Sequence, residues 1–173
     1  MEKIRVGISA CLLGDKVRYN GEHKHEPCIT DTLLEWIEFV PFCPETELGL
    51  GVPRKPVQLE GDAENPRLVV IETGEDLTDA MLNWCCQQMR ELEKKNLCGF
   101  IFKSRSPSCG VGSAPLFSGR DDEVPSGWID GLFAGMVRKH FRMLPVAEEE
   151  QLRDSKVRAR FLERLLCVQS RRN

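Results

Sequence analysis

Short apolar runs of strand character alternate along the chain with stretches whose apolar residues recur at helical spacing. Ile4-Arg5-Val6-Gly7-Ile8-Ser9 reads as a short buried strand ending in Ala10-Cys11. Residues 13–27 are polar and contain Asn20-Gly21, a turn dipeptide. Thr30 or Asp31 is positioned to cap a short helix carrying Leu33, Leu34 and Ile37. A second strand over 39–43 follows at once, and Pro41 inside it points to a sheet edge. Residues 44–56 are dense in Gly and Pro and read as a fixed, irregular loop. Strands over 57–60 and 67–72 flank a turn and predict a β-hairpin or flap. Thr78 then caps a helix with Met81, Trp84, Cys85, Met89 and Leu92 on its apolar face, broken by polar Gln88. A strand over 99–103 runs into Ser104-Arg105-Ser106-Pro107-Ser108-Cys109-Gly110. After a Gly-rich segment reaching Gly127, a helix is predicted with Trp128, Ile129, Leu132, Phe133, Met136, Val137 and His140 on one face. Residues 143–146 form a last short strand, and an amphipathic helical tail covers 148–164.

Strands alternating with helices imply an α/β fold whose mostly parallel sheet is covered on both faces, with the hairpin beside it. The chain reads as a single domain, residues 1–147 forming the α/β body and 148–173 a helical tail of the same unit. Its 173 residues are enough for one proper core. A net charge of −3, with both signs spread along the chain, argues against general nucleic-acid binding but leaves room for a local basic pocket for a small anion. Neither a signal-peptide core nor an apolar run of bilayer length is present, so a reducing cytoplasm is expected and no membrane partner.

Eight cysteines are many for such a compartment, where structural disulfides are disfavoured. Cys85 and Cys86 lie mid-helix, Cys98 precedes a strand, Cys167 is in the tail and Cys28 in a loop, all ordinary places for packing or surface thiols. Cys11, Cys43 and Cys109 differ, because each closes or follows a predicted strand. Ligand crevices of open α/β sheets lie at those strand ends, so the three thiols can converge. Three thiolates select zinc or an iron–sulfur cluster and leave one metal position open for chemistry. His23-Lys24-His25 with Cys28 also has ligand-type residues, but a solvated polar loop explains them equally well. Glu45, two residues beyond Cys43, is placed for proton transfer. Ser106 and Ser108 precede Cys109 and suit either turn chemistry or a polarised heteroatom. Arg18, Arg54, Lys103 and Arg105 are the cations nearest the expected crevice, and His140 is expected to be packed.

Four blocks together carry a family likeness: Ile8-Ser9-Ala10-Cys11-Leu12-Leu13-Gly14; Val17-Arg18-Tyr19-Asn20-Gly21; Cys43-Pro44-Glu45 with Gly49-Leu50-Gly51-Val52-Pro53-Arg54; and Lys103-Ser104-Arg105-Ser106-Pro107-Ser108-Cys109-Gly110. In this order they resemble the thiouracil desulfidase family, from the first strand to about Pro145. The resemblance implies a Rossmann-like, three-layer α/β domain with a [4Fe–4S] cluster on Cys11, Cys43 and Cys109, and Glu45 and Ser106 as catalytic residues. It implies a redox-neutral exchange of C=S for C=O with release of hydrogen sulfide, on thiouracil, thiouridine or its monophosphate. Ser9, Arg18, Arg54, Lys103, Arg105 and Ser108 are then the candidate substrate-binding residues, on a monomer or homodimer. The loop over 45–54 and the tail look closer to a longer subgroup, in which a second helical domain follows. The competing expectations are a zinc-dependent hydrolase on the same three cysteines, and a non-catalytic sensor using a cluster or reactive thiols.

Overall fold

The computed structural model describes residues 3–172; Met1, Glu2 and Asn173 lie outside the described residues. The parallel sheet comprises β1 (Ile4–Ser9), β2 (Ile37–Phe42), β5 (Gly99–Phe102) and β8 (Val146–Glu148), in the order β2-β1-β5-β8. All three of its pairings are parallel, with Val6 opposite Phe39 and Gly99, and Phe100 opposite Val146. β2 is an edge strand, which is why Pro41, lacking an N–H, is accepted there.

Side-chain alternation along these strands builds two cores, one on each face. Ile4, Val6, Ile8 and Ile101 point to the side covered by α1 (Pro27–Leu33), α5 (Glu149–Leu152) and α6 (Ser155–Ser170), packing with Ile29, Leu33, Leu152, Phe161 and Leu165. Phe42, Phe100 and Phe102 point the other way, toward α3 (Thr78–Lys94) and α4 (Leu132–His140). Phe100 and Phe102 stack with centroids 5.8 Å apart, and Phe133 meets Phe42 edge-on at 5.1 Å. Gly7 is required here, because a Cβ at that position would lie 2.6 Å from the Phe100 ring.

The hairpin β3 (Val57–Gly61) and β4 (Pro66–Val70) is present, but it is no free flap. β6 (Ala114–Phe117) pairs parallel with β3, and β7 (Gly127–Ile129) pairs antiparallel with β6, giving a second sheet in the order β4-β3-β6-β7. The Gly-rich segment is thus strand and turn. Trp128 lies in β7 and is more than half exposed, not on a helix face. The helix starts only after Gly131, whose position has no room for a side chain: a Cβ would sit 2.5 Å from the Ser108 carbonyl carbon.

Smaller differences have local causes. α1 begins at Pro27, which suits the first helical position, rather than at Thr30. The Asp76 carboxylate accepts the Thr78 N–H at 2.9 Å, while the Thr78 hydroxyl accepts from Leu68 N and ties α3 to β4. The last strand lies two to three residues later than expected, and Met143 is exposed. His140 is exposed and pairs with Glu93 at 2.7 Å; it is not a core residue. The tail is two helices, the second capped by Asp154, which accepts from Lys156 N and Val157 N. No helix of the described residues is long and apolar enough to cross a membrane.

Candidate active site

A cavity of about 550 Å³ opens at the carboxyl ends of β1, β2 and β5, and Cys11, Cys43 and Cys109 all line it. Each thiol is held by a different local device. Cys11 lies in a single 3-10 turn, Ala10–Leu13, closed by Gly14 in the left-handed region (φ 97°). Cys43 ends β2 and precedes Pro44, the first residue of the one-turn helix α2 (Pro44–Glu47). Cys109 lies in the loop after β5, where the Ser106 hydroxyl accepts from Ser108 N at 3.2 Å and from Cys109 N at 3.0 Å.

Burial pushes the Cys11 thiol up to about 11; the neighbouring Cys43 adds to this, and Lys103 opposes it. Cys109 is raised well above the ordinary thiol value, first by burial, with the Ser9 hydroxyl hydrogen-bonding to it in opposition and Cys11, Cys43 and Glu45 raising it further. The Cys11 and Cys109 thiolates are thus costly in this pocket without a cation to hold them. Among the described residues, no three His, Cys, Asp or Glu side chains group closely enough to hold a single metal ion.

Glu45 lines the cavity from the first turn of α2 and is clamped on both oxygens. Arg54 donates to Oε2 from Nε at 2.9 Å and from Nη2 at 2.7 Å, and the Ser108 hydroxyl donates to Oε1 at 3.0 Å. Arg54 also donates from Nη1 to the carbonyls of Val17 (2.8 Å) and Gly51 (3.1 Å), and its backbone N–H donates to Tyr19 O. The loop over 44–56 is therefore folded around one buried guanidinium, whose side chain is 6% exposed.

Of the six expected substrate-binding residues, five line the cavity: Ser9, Arg18, Arg54, Lys103 and Arg105. Ser108 sits behind it, 1% exposed, holding Glu45. Arg54 and Lys103 are engaged by protein acceptors; the Lys103 ammonium donates to Glu149 and to both the carbonyl and the hydroxyl of Ser104. Arg18 and Arg105 stand at the rim, the first stacked over Tyr19 at 5.6 Å, the second 3.3 Å from Glu150. Of the His23-Lys24-His25 run and Cys28, only Lys24 and His25 line the cavity; Arg153 lines it too and escaped the sequence reading, because nothing local to it marks a strand end. His25 meets the Thr30 hydroxyl at 3.1 Å, and Cys28 faces the Arg158 guanidinium at 3.1 Å away from the cavity lining. Glu149 escaped too, as one of three consecutive glutamates in what read as a solvated tail.

Comparison with known proteins bears on the family and the fold. The family model described as 2-thiouracil desulfurase matches residues 6–149. The uncharacterized protein YbbK of Bacillus subtilis (strain 168) is 32% identical over 110 residues, 61% of this chain and 72% of its own length. A solved structure described as the [4Fe-4S]-dependent thiouracil desulfidase TudS superposes with a TM-score of 0.68 at 31% identity, covering 88% of this chain and 93% of that one. This chain, with its three thiols gathered at the ends of a parallel sheet, belongs to the 2-thiouracil desulfurase family.

Proposed function

We propose that this chain is a redox-neutral desulfidase that converts a thiolated pyrimidine to its oxo form, C=S plus water giving C=O plus hydrogen sulfide, with a [4Fe–4S] cluster held by Cys11, Cys43 and Cys109. The observation that carries the reading is the coincidence of three coupled thiols, a clamped carboxylate and a free hydroxyl proton around one cavity. The donor set fits the cluster. Three soft thiols lining one cavity are the ordinary ligands of such a cluster and leave one of its irons without a protein ligand. When bound, the cluster supplies a Lewis-acidic iron that no protein ligand occupies, open to a soft sulfur donor.

The chain's own groups have separable tasks. Glu45 Oε2 already accepts two bonds from Arg54, and Oε1 accepts one from Ser108. Since a carboxylate oxygen accepts two, one site on Oε1 remains for a water or a pyrimidine N–H. Glu45 is thereby placed to orient the attacking water and take its proton. The Ser106 oxygen is occupied by two amide N–H groups, so its O–H is left to donate a hydrogen bond to the departing sulfur, while the proton that Glu45 takes from water is the one passed on to the sulfide. Ser9 holds Cys109 by a hydrogen bond and is itself fixed by Lys103 N at 2.9 Å. Thiouracil, thiouridine and its monophosphate all suit the site, and for a phosphate the rim cations Arg18 and Arg105 are the available partners, since Arg54 and Lys103 are engaged.

Anaerobic reconstitution with iron and sulfide, a visible spectrum, and assay of sulfide released from 2-thiouracil and from 4-thiouridine monophosphate test the proposal. A brown protein that releases sulfide is expected. A brown but inert protein against both compounds would favour a sensor, and a colourless protein retaining zinc would favour the hydrolase.

A further inference from the structure

We propose that Glu148 and Glu149, at the end of β8 and the start of α5, are positioning residues for Cys109: a pair of buried carboxylates that clasps both sides of the loop carrying this thiol. Glu148 is 7% exposed and Glu149 is 2% exposed. The loop leaves β5 at Phe102 and rejoins regular structure at Ala114, with Cys109 between. On its outgoing side Glu149 accepts from Ser104 N at 2.6 Å, from the Ser104 hydroxyl at 2.8 Å and from the Lys103 ammonium. On its returning side Glu148 accepts from Val111 N at 2.7 Å and from the Ser113 hydroxyl. Ser113 closes the clasp, because its oxygen also accepts Arg105 N at 2.8 Å and so joins the two sides.

Two adjacent buried carboxylates are a costly way to stabilise a fold, since apolar residues of similar volume often do as well. Their use here is specific: the loop presents buried backbone N–H groups that need acceptors, and β8 delivers two carboxylates within reach of both sides. Arg105 holds a left-handed conformation (φ 59°), a strained choice for a side-chain-bearing residue, and its N–H is bonded within the clasp. The thiol itself is 5% exposed and sits at the middle of this tethered span. Glu148 also caps α5 through Gln151, so a merely structural role must be told apart from a role in holding the thiol.

The test reads the thiol directly and needs no cluster. Reduced, metal-free protein is alkylated with iodoacetamide and the modified cysteines are quantified by peptide mass spectrometry. Cys85, fully buried in α3 and far from the loop in sequence, serves as the internal reporter of global opening. Glu149→Ala and Glu148→Ala should raise the Cys109 rate roughly 10- to 100-fold, the factor by which losing charge-assisted hydrogen bonds changes a local opening equilibrium, with Cys85 unchanged. Glu149→Gln retains one acceptor oxygen and should fall between; it decides the matter if the alanine variant does not fold. Equal rises at Cys109 and Cys85, or no rise at either, would overturn the proposal. In reconstituted protein the same variants should lose iron to a chelator faster than the parent. That last readout rests on the desulfidase reading: a parent chain that takes up no cluster would defeat that reading and leave the thiol result standing.

Discussion

Substitution of Arg54 separates two roles with opposite kinetic signatures. If this residue gripped a substrate phosphate, as its motif suggests, Arg54→Lys would raise KM for thiouridine monophosphate, spare kcat, and be silent with thiouracil. The geometry predicts otherwise, because every nitrogen of the guanidinium is engaged: Nε and Nη2 on Glu45, Nη1 on the carbonyls of Val17 and Gly51. Lysine retains the charge but not the planar fork, so it can restore one bond to Oε2 and not two. A carboxylate freed to shift by about 1 Å loses on the order of 100-fold in rate, equivalent to about 2.7 kcal/mol of barrier. Arg54→Lys should therefore lower kcat about 100-fold on both substrates, with little change in KM. Arg54→Ala goes further. With the two side chains 6% and 13% exposed, it leaves a buried carboxylate uncompensated. Such a loss costs about 3–5 kcal/mol, a fall in Tm on the order of 10 °C for a chain of this size. Steady-state sulfide release normalised to bound iron, with thermal melts of each variant, measures both effects. A KM change confined to the monophosphate would refute the positioning argument, and so would a variant with full kcat on thiouracil.

Glu45→Gln should retain the brown colour yet lose at least about 100-fold in turnover, as expected when a general base is removed; a variant that cannot assemble the cluster would instead make Glu45 structural. Serine at Cys11, Cys43 or Cys109 should abolish both iron content and sulfide release, whereas Cys28→Ser, away from the cavity lining, should keep both by the same assays. Gly131→Ala pushes a methyl to within 2.5 Å of Ser108 C and 2.7 Å of Cys109 N, backbone atoms that cannot rotate away. It should cost about 1–3 kcal/mol in denaturant melts and lower the yield of reconstituted cluster. Burial holds the Cys85 thiol up at about 12 against 9.0 for an ordinary one. Its contribution to stability is thus complete below pH 9 and drains away as pH rises toward 12. Urea melts between pH 9 and 10.5 should show the parent losing stability faster than Cys85→Ala, the difference in slope steepening toward about 1.4 kcal/mol per pH unit at the upper end; parallel slopes would contradict this.

The central strands were legible because burial on both faces leaves near-continuous apolar runs, as in Ile4–Ser9 and Gly99–Phe102. The three thiols could be picked out for the same reason: strand ends are marked, and in an open parallel sheet they share one crevice. The second sheet could not be read, since Ala114–Phe117 and Gly127–Ile129 are four and three residues long; the first owes its strand state to a distant partner, β3, and the second to the first. Trp128 and Ile129 continue the helical spacing of Leu132 and Phe133, so periodicity alone enrols them; only the close approach of Gly131 to Ser108 explains why the helix starts later.

Charges were the least legible feature, and the reason is physical. A sequence displays the sign of a side chain but not the partner that lets it be buried. Glu148-Glu149-Glu150 has the look of a solvated helix start, yet only Glu150 is exposed. Arg54 has the look of a ligand-binding cation, yet its side chain is among the less exposed of the paired ones and holds Glu45. In both cases the missing information is the set of buried donors or acceptors that an irregular loop presents once it is folded. Residues 44–56 and 103–113 contribute two of the three thiols' surroundings and almost no regular secondary structure, so their backbone groups must be satisfied by side chains brought from elsewhere. It follows that, in this fold, unexplained buried charges are best sought beside the loops that carry the thiols. The pairs Arg54–Glu45 and Glu149–Lys103 are where that search leads.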